Sequence, residues 1–494
     1  MKKYTIGIDI GTTGTKAVLL EIGLGVVASS SAETRLFSDE AGYSEAETSD
    51  WLENVYKCVK DLISSTSCRP ESIVGISTTG MVPAVVLLDD DGRPLSRAIL
   101  QNDARAVKEI DELSRKLSSI SVLEDTGSPL SQQSVAPTLR WVQAHAPQIW
   151  AASRYVVGSY DWVLIALGGK PHVEANWALE SGLFFIDGKP HSEIMRAAGL
   201  NPTQIPYIAK AGDLVGHLDS KSAEEMGLVP GIPLYVGGAD HVLSAFSAGV
   251  ADEGDGLIKL GGAGDILMAS KDPIVDQRLY LDVHPIEGIW LPNGCMATSG
   301  SLIRWFQKIT GVENLAKMDI RAESCKPAEV LCLPYFLGEK SPLHDPDLRG
   351  AFFGMHLGSS QADLYRSVLE AIAFGFRHHV EVMAERGIIL KRAMVTNGGS
   401  RSTLWKQIHS DVLGISLYPV VDHPGASLGA AVIAGYGAAE IDSLSHIHKY
   451  VNVGPVVTPD QNLHDVYDHA YKEWRELATA TIPLAHQLSE RTRG

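Results

Sequence analysis

The clearest pattern in the chain is an alternation of apolar residues near its amino-terminal end, which recurs after a turn. Ile6, Ile8 and Ile10 alternate with small or polar residues, and a second apolar segment runs over 17–20. Alternation with a period of two predicts a β-strand, and the glycines and threonines at 11–15 predict a tight turn. The pattern therefore predicts a strand–turn–strand hairpin.

A weaker copy of this hairpin is predicted near the middle of the chain. The apolar segment Leu257–Leu260 runs into the glycine-rich turn Gly261–Gly264, and a second apolar segment follows. The Gly- and Asp-rich stretch Gly249–Gly256 precedes the copy and is the best candidate for a domain boundary. Two halves that each open with such a hairpin predict a duplicated domain, divided into 1–249 and 250–494.

Segments with helical periodicity alternate with short apolar segments elsewhere. Apolar residues spaced three and four apart predict an amphipathic helix over Trp51–Ser64. A capping box at 360–363 begins a long helix that is predicted to end at Gly387. Short apolar segments at 74–78 and 84–89 predict strands. Because strands alternate with helices, the predicted fold class is α/β.

The composition is that of a globular protein and excludes several kinds of partner. The 494 residues are 45% hydrophobic and 20% charged, and the formal net charge is −17. Because sequence-independent binding to nucleic acid depends on Lys and Arg, a chain this acidic is a poor nucleic-acid binder. The five cysteines form no metal-ligand pattern, and no segment suits a membrane span or a signal peptide. We therefore expect a cytoplasmic protein with reduced thiols and no membrane partner.

The turn of the first hairpin carries groups that suit phosphate. Thr12, Thr13, Gly14 and Lys16 supply hydroxyls, backbone N–H groups and an ammonium within a few residues. Asp9 ends the first strand, where its carboxylate is placed to hold a metal ion or its waters. The turn is neither a Walker loop nor a dinucleotide-binding turn, since a strand rather than a helix follows it. An ordinary glycine-containing hairpin is the alternative.

Five further segments together point to a family. They are AGYSE at 41–45 with Trp51 after it, GGAD at 237–240, LPYFLGEKSP at 333–342, GAFFGM at 350–355 and DLYRSVLE at 363–370. With the first hairpin, they resemble the signatures of the FGGY carbohydrate kinases, from about residue 4 to about residue 480. The resemblance implies two ribonuclease-H-like, actin-type domains with a central cleft where Mg²⁺-ATP and a sugar meet. It implies transfer of the γ-phosphoryl group to a sugar hydroxyl, and a homodimer as one assembly, because family members are often dimers.

The resemblance makes Asp240 the general base that accepts the hydroxyl proton. From spacing alone, Asp240 serves equally well as the N-cap of the helix that follows it. A solvated charge on a helix is the alternative reading of one nucleotide-side candidate, Arg304. The nucleotide-side residues that the resemblance implies, beyond the first hairpin, are Gly262, Gly300, Arg304, Gly399 and Thr403.

The second hairpin departs from the family pattern. Most members carry a Thr where this chain has Gly262, so one hydroxyl donor is absent. Backbone N–H groups must supply the lost contact, or Lys259 or Asp265 changes how metal and phosphate are held. The run of small residues Ala426–Gly435 predicts a tightly packed helix and is assigned no ligand.

The sugar contacts are expected at a second group of residues. In the xylulose kinases of the family a His occupies the position of Pro83, and proline has no side-chain hydrogen bond to give. A ketopentose such as xylulose is the leading substrate, and a tetrulose, a tetritol or another polyol is the alternative. A partly buried helix histidine is the alternative reading of His241. The expected sugar contacts are Val82, Pro83, Asp103, Asp240 and His241.

Two other classes of function are alternatives to the sugar kinase. An actin-like ATPase without sugar kinase activity, such as a chaperone or a filament protein, would lack the motifs at 237–240 and 350–370. A dinucleotide-dependent dehydrogenase is disfavoured, because no Gly-x-Gly-x-x-Gly follows a strand and opens a helix.

Overall fold

The computed structural model describes residues 2–493. The strands of the first half are β1 (Tyr4–Ile10), β2 (Gly14–Glu21), β3 (Gly25–Glu33), β4 (Leu36–Phe37), β5 (Glu45–Ala46), β6 (Ile73–Gly80), β7 (Val86–Leu88), β8 (Ala98–Ile99), β9 (Tyr155–Val157), β10 (His172–Glu174), β11 (Tyr207–Ala209), β12 (Leu214–His217) and β13 (Pro233–Ala239). The later strands are β14 (Asp255–Leu260), β15 (Gly264–Met268), β16 (Tyr280–Val283), β17 (Trp290–Met296), β18 (Leu331–Leu333), β19 (Ala351–Phe353), β20 (Arg392–Thr396) and β21 (Leu417–Pro419). The helices are α1 (Thr48–Ser64), α2 (Val107–Lys116), α3 (Val122–Thr126), α4 (Val135–His145), α5 (Pro147–Ala152), α6 (Ser159–Ala166), α7 (Ala175–Glu180), α8 (Ser192–Ala197), α9 (Ser220–Met226), α10 (Asp240–Ser247), α11 (Gly300–Thr310), α12 (Leu315–Glu323), α13 (Gln361–Glu385), α14 (Thr403–Leu413), α15 (Ala426–Gly437) and α16 (Gln461–Arg493).

The first sheet is built around the predicted amino-terminal hairpin. Its strand order is β12-β13-β6-β1-β2-β3. β1 and β2 pair antiparallel from Tyr4 opposite Glu21 to Ile10 opposite Thr15, which confirms the hairpin. β6 lies parallel to β1, and β13 lies parallel to β6. Helix α1, predicted over 51–64, begins at Thr48 and packs on β2 and β3.

The second sheet repeats this arrangement with different strands. Its order is β16-β17-β15-β14-β20-β21. β14 and β15 form the second predicted hairpin, and β20 lies parallel to β14 as β6 does to β1. Both sheets therefore place an antiparallel hairpin beside parallel strands in the same order. This repetition agrees with the predicted pair of ribonuclease-H-like, actin-type domains, each an α/β layer structure.

Helix α15 returns the chain to the first sheet after β21. It packs on β1, β6 and β13, and its apolar residues belong to the same buried core as those strands. The Thr5 hydroxyl donates a hydrogen bond to the Ala431 carbonyl at 2.7 Å. The division into 1–249 and 250–494 remains a prediction, and it does not include this return of α15 to the first sheet.

The long helix α13 confirms the predicted capping box. Asp363 accepts a hydrogen bond from the backbone N–H of Ser360 at 2.7 Å, and the Ser360 hydroxyl oxygen accepts one from the Asp363 N–H at 3.4 Å. The helix ends at Glu385, two residues before the predicted stop at Gly387. Over residues 2–493, no helix is both long enough and apolar enough to cross a membrane.

Candidate active site

Parallel strands bring Asp9 and the GGAD motif to one edge of the first sheet. The register sets Asp9 on β1 beside Thr79 on β6, and Thr79 beside Gly238 on β13. Neighbouring strands lie about 4.8 Å apart, so β1 and β13 are separated by about 10 Å. Asp240 follows β13 directly, and its charge acts on the carboxyl group of Asp9. The two predicted acidic residues therefore share one region of the molecule.

Asp9 has the features of a metal-binding carboxylate. Its Oδ1 atom is buried and has no hydrogen-bond partner among residues 2–493. Burial, followed by the charge of Asp240, raises the pKa of Asp9 to about 7, although Lys16 and Lys259 act in the opposite direction. Burying an unpaired carboxylate oxygen is unfavourable, and a hard divalent cation prefers such oxygen ligands. The residue therefore fits Mg²⁺.

Asp240 is the first residue of α10 and is not its N-cap. The N-cap position belongs to Ala239, and it has no side-chain capping hydrogen bond. The side chain of Asp240 is 38% exposed. A negative charge in the first turn of a helix is favoured by the helix dipole. Asp240 therefore does not serve as the N-cap, which was the structural alternative to its role as the base.

Lys259 brings a positive charge from the second sheet to the same region. Its Nζ atom lies 3.2 Å from Oδ2 of Asp265 across the second hairpin. Burial lowers the pKa of Lys259, but the charges of Asp265 and Asp240 raise it, and the net shift is upward. Lys259 therefore remains an ammonium group near Asp9 and Asp240.

The second hairpin turn is hydrogen-bonded to the start of α11. Gly300 and Ser301 donate backbone hydrogen bonds to the carbonyls of Gly261 and Gly262, at 2.7 and 3.0 Å. A β-carbon at Gly300 would lie 2.6 Å from the Gly261 oxygen, and one at Gly262 would lie 3.1 Å from Nη2 of Arg304. The structure thus brings Gly262, Gly300 and Arg304 together. Their contact with a nucleotide remains a prediction.

The turn of the first hairpin is closed by a backbone hydrogen bond, and its tip is exposed to solvent. The Gly11 N–H donates to the Gly14 carbonyl at 3.0 Å. The side chain of Gln101 donates to the Thr12 hydroxyl at 3.3 Å. Thr13 is exposed at the tip of the turn. These groups are accessible, and their contact with phosphate remains a prediction.

Lys16 has a protein partner outside the first hairpin. It lies opposite Asp9 in the β1–β2 register. Its ammonium donates a hydrogen bond to the carbonyl oxygen of Pro424, in the loop before α15. The predicted phosphate contact would require Lys16 to exchange or share this partner.

Gly399 and Thr403 follow β20 in the chain, and Gly399 lies next to Leu260 of the second hairpin. A β-carbon at Gly399 would lie 2.2 Å from the ring of Trp405 and 2.6 Å from the β-carbon of Leu260. Packing against Trp405 therefore requires glycine at position 399, whether or not a base binds there. Thr403 is the exposed first residue of α14. Both remain predicted nucleotide neighbours.

The predicted sugar contacts differ in how accessible they are. Asp103 is buried and accepts four hydrogen bonds, one from the Ser44 N–H and three from Arg105, at 2.6 to 2.9 Å. Four is about the capacity of a carboxylate, so its oxygens are already occupied by protein donors. Val82 and Pro83 are buried beside the end of β6. The protein donors around Asp103 therefore disfavour it as a sugar contact.

His241 directs both ring nitrogens at carboxylates. Nε2 lies 2.7 Å from Oδ2 of Asp282, and Nδ1 lies 3.5 Å from Oδ1 of Asp240. Its side chain is 24% exposed, which leaves part of the ring available to a ligand. This geometry is compatible with a sugar contact at His241, which remains a prediction.

The fold agrees with that of known proteins. Profiles of the FGGY family of carbohydrate kinases match residues 4–247 for the N-terminal domain and residues 258–438 for the C-terminal domain. The chain belongs to the FGGY family of carbohydrate kinases. It is therefore a sugar kinase that uses ATP, and its two-domain α/β fold is that of the family.

Individual relatives cover nearly the whole chain. The solved structure of xylulose kinase from Rhodospirillum rubrum has 37% sequence identity, covers 98% of this chain and 100% of its own, and superposes with a TM-score of 0.93. Xylulose kinase of Staphylococcus epidermidis is 28% identical, with 99% of each chain covered. Gluconokinase of Bacillus subtilis is 24% identical, with 99% of this chain and 96% of its own covered.

Some residues near the site were missed by the sequence patterns. Glu180 and Asp282 lie within 4.8 Å of the ring of His241, although they are far from it in the sequence. Asp282 is a buried acid inside the short strand β16, which is the one local feature that could have drawn attention to it.

Proposed function

We propose that the protein phosphorylates a hydroxyl of a ketopentose, with xylulose as the leading substrate. The observation that carries this proposal is the match to xylulose kinases over nearly the full length of both chains. The placement of Asp9, Asp240 and Lys259 in one region supports the chemistry, because phosphoryl transfer depends mainly on positioning and on neutralising charge.

In the proposed reaction, Asp240 accepts the proton of the sugar hydroxyl while that oxygen bonds to the γ-phosphorus. The bond from the γ-phosphorus to the bridging oxygen breaks, and its electron pair leaves with ADP. Asp9 would hold Mg²⁺ through its unpaired Oδ1, and the cation would supply positive charge to the phosphate oxygens. Lys259, Arg304 and the two hairpin turns would position the phosphates through N–H donors. Mg²⁺, a homodimeric assembly and the cytoplasm as the compartment are parts of this proposal.

A smaller or differently shaped polyol is the second candidate substrate. Pro83 is buried and offers no hydrogen bond where xylulose kinases carry His, and Asp103 is occupied by Arg105. A sugar with fewer hydroxyls leaves fewer polar groups unpaired in such a pocket, and each unpaired buried group costs about 1–3 kcal/mol.

A substrate panel separates these candidates. ADP release from Mg²⁺-ATP would be measured with xylulose, ribulose, tetruloses, tetritols, glycerol and gluconate at equal concentrations. We expect the highest kcat/KM with xylulose. A tetrulose or tetritol that exceeds xylulose would support the second candidate, and turnover that no sugar stimulates would contradict both.

A further inference from the structure

His241 lies among three carboxylates that come from different parts of the fold. Asp282 on β16 is 2.7 Å from Nε2, and Glu180 at the end of α7 is 3.8 Å from it. Asp240, the preceding residue, is 3.5 Å from Nδ1. Because β16 belongs to the second sheet and α10 follows β13 of the first, the bond to Asp282 joins the two halves.

Asp282 is fixed independently of His241. The side chain of Asn293 on β17 donates a hydrogen bond to the same Oδ2 atom at 2.7 Å. The other oxygen, Oδ1, is buried and accepts no hydrogen bond from residues 2–493, and the same holds for Oε1 of Glu180. Burial and the charge of Asp282 raise the pKa of Glu180 well above its ordinary value. A neutral Glu180 donates an O–H, so one proton between the two acids would satisfy both unpaired oxygens.

The cluster is a hydrogen-bonded charge pair rather than a metal centre. A distance of 2.7 Å between Nε2 and a carboxylate oxygen is that of a charge-assisted hydrogen bond, which needs a proton on the nitrogen. A metal would need that nitrogen without its proton. Burial lowers the pKa of His241, but Asp282, Asp240 and Glu180 raise it, and the net shift is well above the ordinary value. Asp265, the other acid whose charge His241 affects, is paired with Lys259.

We propose that Asp282 is a positioning residue for the phosphoryl transfer, because it holds a protonated His241 against Oδ1 of Asp240. The imidazolium places a positive charge beside the proposed base and fixes its orientation before the sugar hydroxyl arrives. His241 keeps its proton throughout: the hydroxyl proton goes to Asp240, and the electron pair of the O–H bond forms the new O–P bond. The base is therefore set by a group from the other half of the molecule. This inference rests on the proposed role of Asp240.

The first test reads the charge of His241 directly and does not depend on activity. The ¹⁵N chemical shifts of the histidine ring nitrogens would be followed by NMR from pH 5.5 to 9 in ¹⁵N-histidine-labelled protein. The signals of His241 would be assigned by their loss from the spectrum of His241→Gln. We expect an imidazolium at pH 8 in the wild type and a neutral ring at pH 8 in Asp282→Asn. A neutral His241 at pH 7.5 in the wild type overturns the proposal, even where Asp282→Asn fails to fold.

The second test measures the pH dependence of kcat with Mg²⁺-ATP and xylulose. In Asp282→Asn we expect the acid limb to move up by about one pH unit, so that kcat at a pH well down that limb falls about tenfold, with KM for ATP unchanged. The matched control is Asn176→Ala, which removes the neighbouring contacts of Asn176 with the Val283 backbone, at 2.7 and 3.0 Å, and leaves His241 in place. The control should keep the wild-type acid limb.

The outcomes of the two tests are distinguishable. An unmoved acid limb in Asp282→Asn, or an equal shift in Asn176→Ala, overturns the positioning role. If xylulose gives no turnover while His241 titrates as expected, the substrate proposal fails and the charge pair stands.

Discussion

Asp9 and Asp240 carry the proposed chemistry, and their surroundings suit different tasks. Asp9 presents a buried, unpaired oxygen, whereas Asp240 is partly exposed at the start of a helix. A buried unpaired carboxylate binds a cation well, and an exposed one can accept a proton from an arriving hydroxyl. The division of roles between the two residues follows from these environments.

Replacing Asp9 by Asn should separate metal binding from stability. We expect kcat with Mg²⁺-ATP to fall about 100-fold or more, because the cation loses a ligand. The thermal midpoint without nucleotide should not fall, since the Oδ1 atom of Asp9 makes no hydrogen bond that could be lost. The measurement is the thermal shift given by Mg²⁺-ADP, which should disappear in Asp9→Asn. A wild-type shift in the variant would rule out Asp9 as the metal ligand.

Glu339 gives a pH-dependent prediction about stability. It accepts hydrogen bonds from the N–H groups of Ala297 and Lys340 at 2.7 and 2.9 Å, and burial raises its pKa to about 7 from an ordinary value of 4.5. Between those pH values the folded protein holds a proton that the unfolded chain has lost, so this group's contribution to stability falls as pH rises through the window. Glu339→Gln avoids that loss.

The expected result for Glu339→Gln is a thermal midpoint near that of the wild type at pH 4.5. At pH 8.5 it should be higher by about 2 °C or more, which corresponds to about 1 kcal/mol. The control is Glu287→Gln, whose side chain is 91% exposed and which should show no pH-dependent difference. A variant that is destabilised equally at both pH values would contradict the assignment.

At the scale of elements, local sequence patterns predicted which helices and strands form better than they predicted how these elements pack together. Both hairpins, helix α1 and the capping box of α13 were predicted because each is specified by neighbouring residues. The position of α15 on the first sheet was not predicted, because a helix that is apolar on all sides is recognised as buried without showing which strands it contacts. The occupancy of Asp103 by Arg105 and Ser44 was missed for a similar reason, since hydrogen-bond saturation is a property of the folded site.

The contact between β1 and α15 requires a glycine at position 7. A β-carbon there would lie 2.0 Å from the Ser427 carbonyl oxygen and 2.4 Å from the Ala431 nitrogen. Because backbone atoms cannot move aside as a side chain can, Gly7→Ala should destabilise the protein by about 3 kcal/mol or more. The matched control is Gly398→Ala, where nothing lies within 4 Å of the added carbon. Equal denaturant midpoints for the two variants would contradict this packing.

At the scale of the whole molecule, the site is assembled from both halves. Asp9 and Asp240 come from the first sheet and its following helix, whereas Lys259 and Asp282 come from strands of the second. The sequence indicated two related halves through the repeated hairpin, and the family resemblance indicated a shared cleft. The contacts that join the halves, such as His241 with Asp282, depend on residues 41 apart in the chain and have no local pattern.

The proposed function requires that Asp240 acts as the base in phosphoryl transfer to a sugar. The decisive measurement is the rate of sugar phosphate formation from xylulose and Mg²⁺-ATP, followed by mass spectrometry, for the wild type and for Asp240→Asn. We expect xylulose phosphate and ADP in equal amounts from the wild type. For Asp240→Asn we expect a rate lower by about 100-fold or more, with an unchanged thermal midpoint. Sugar phosphate formed by Asp240→Asn at the wild-type rate would contradict the account.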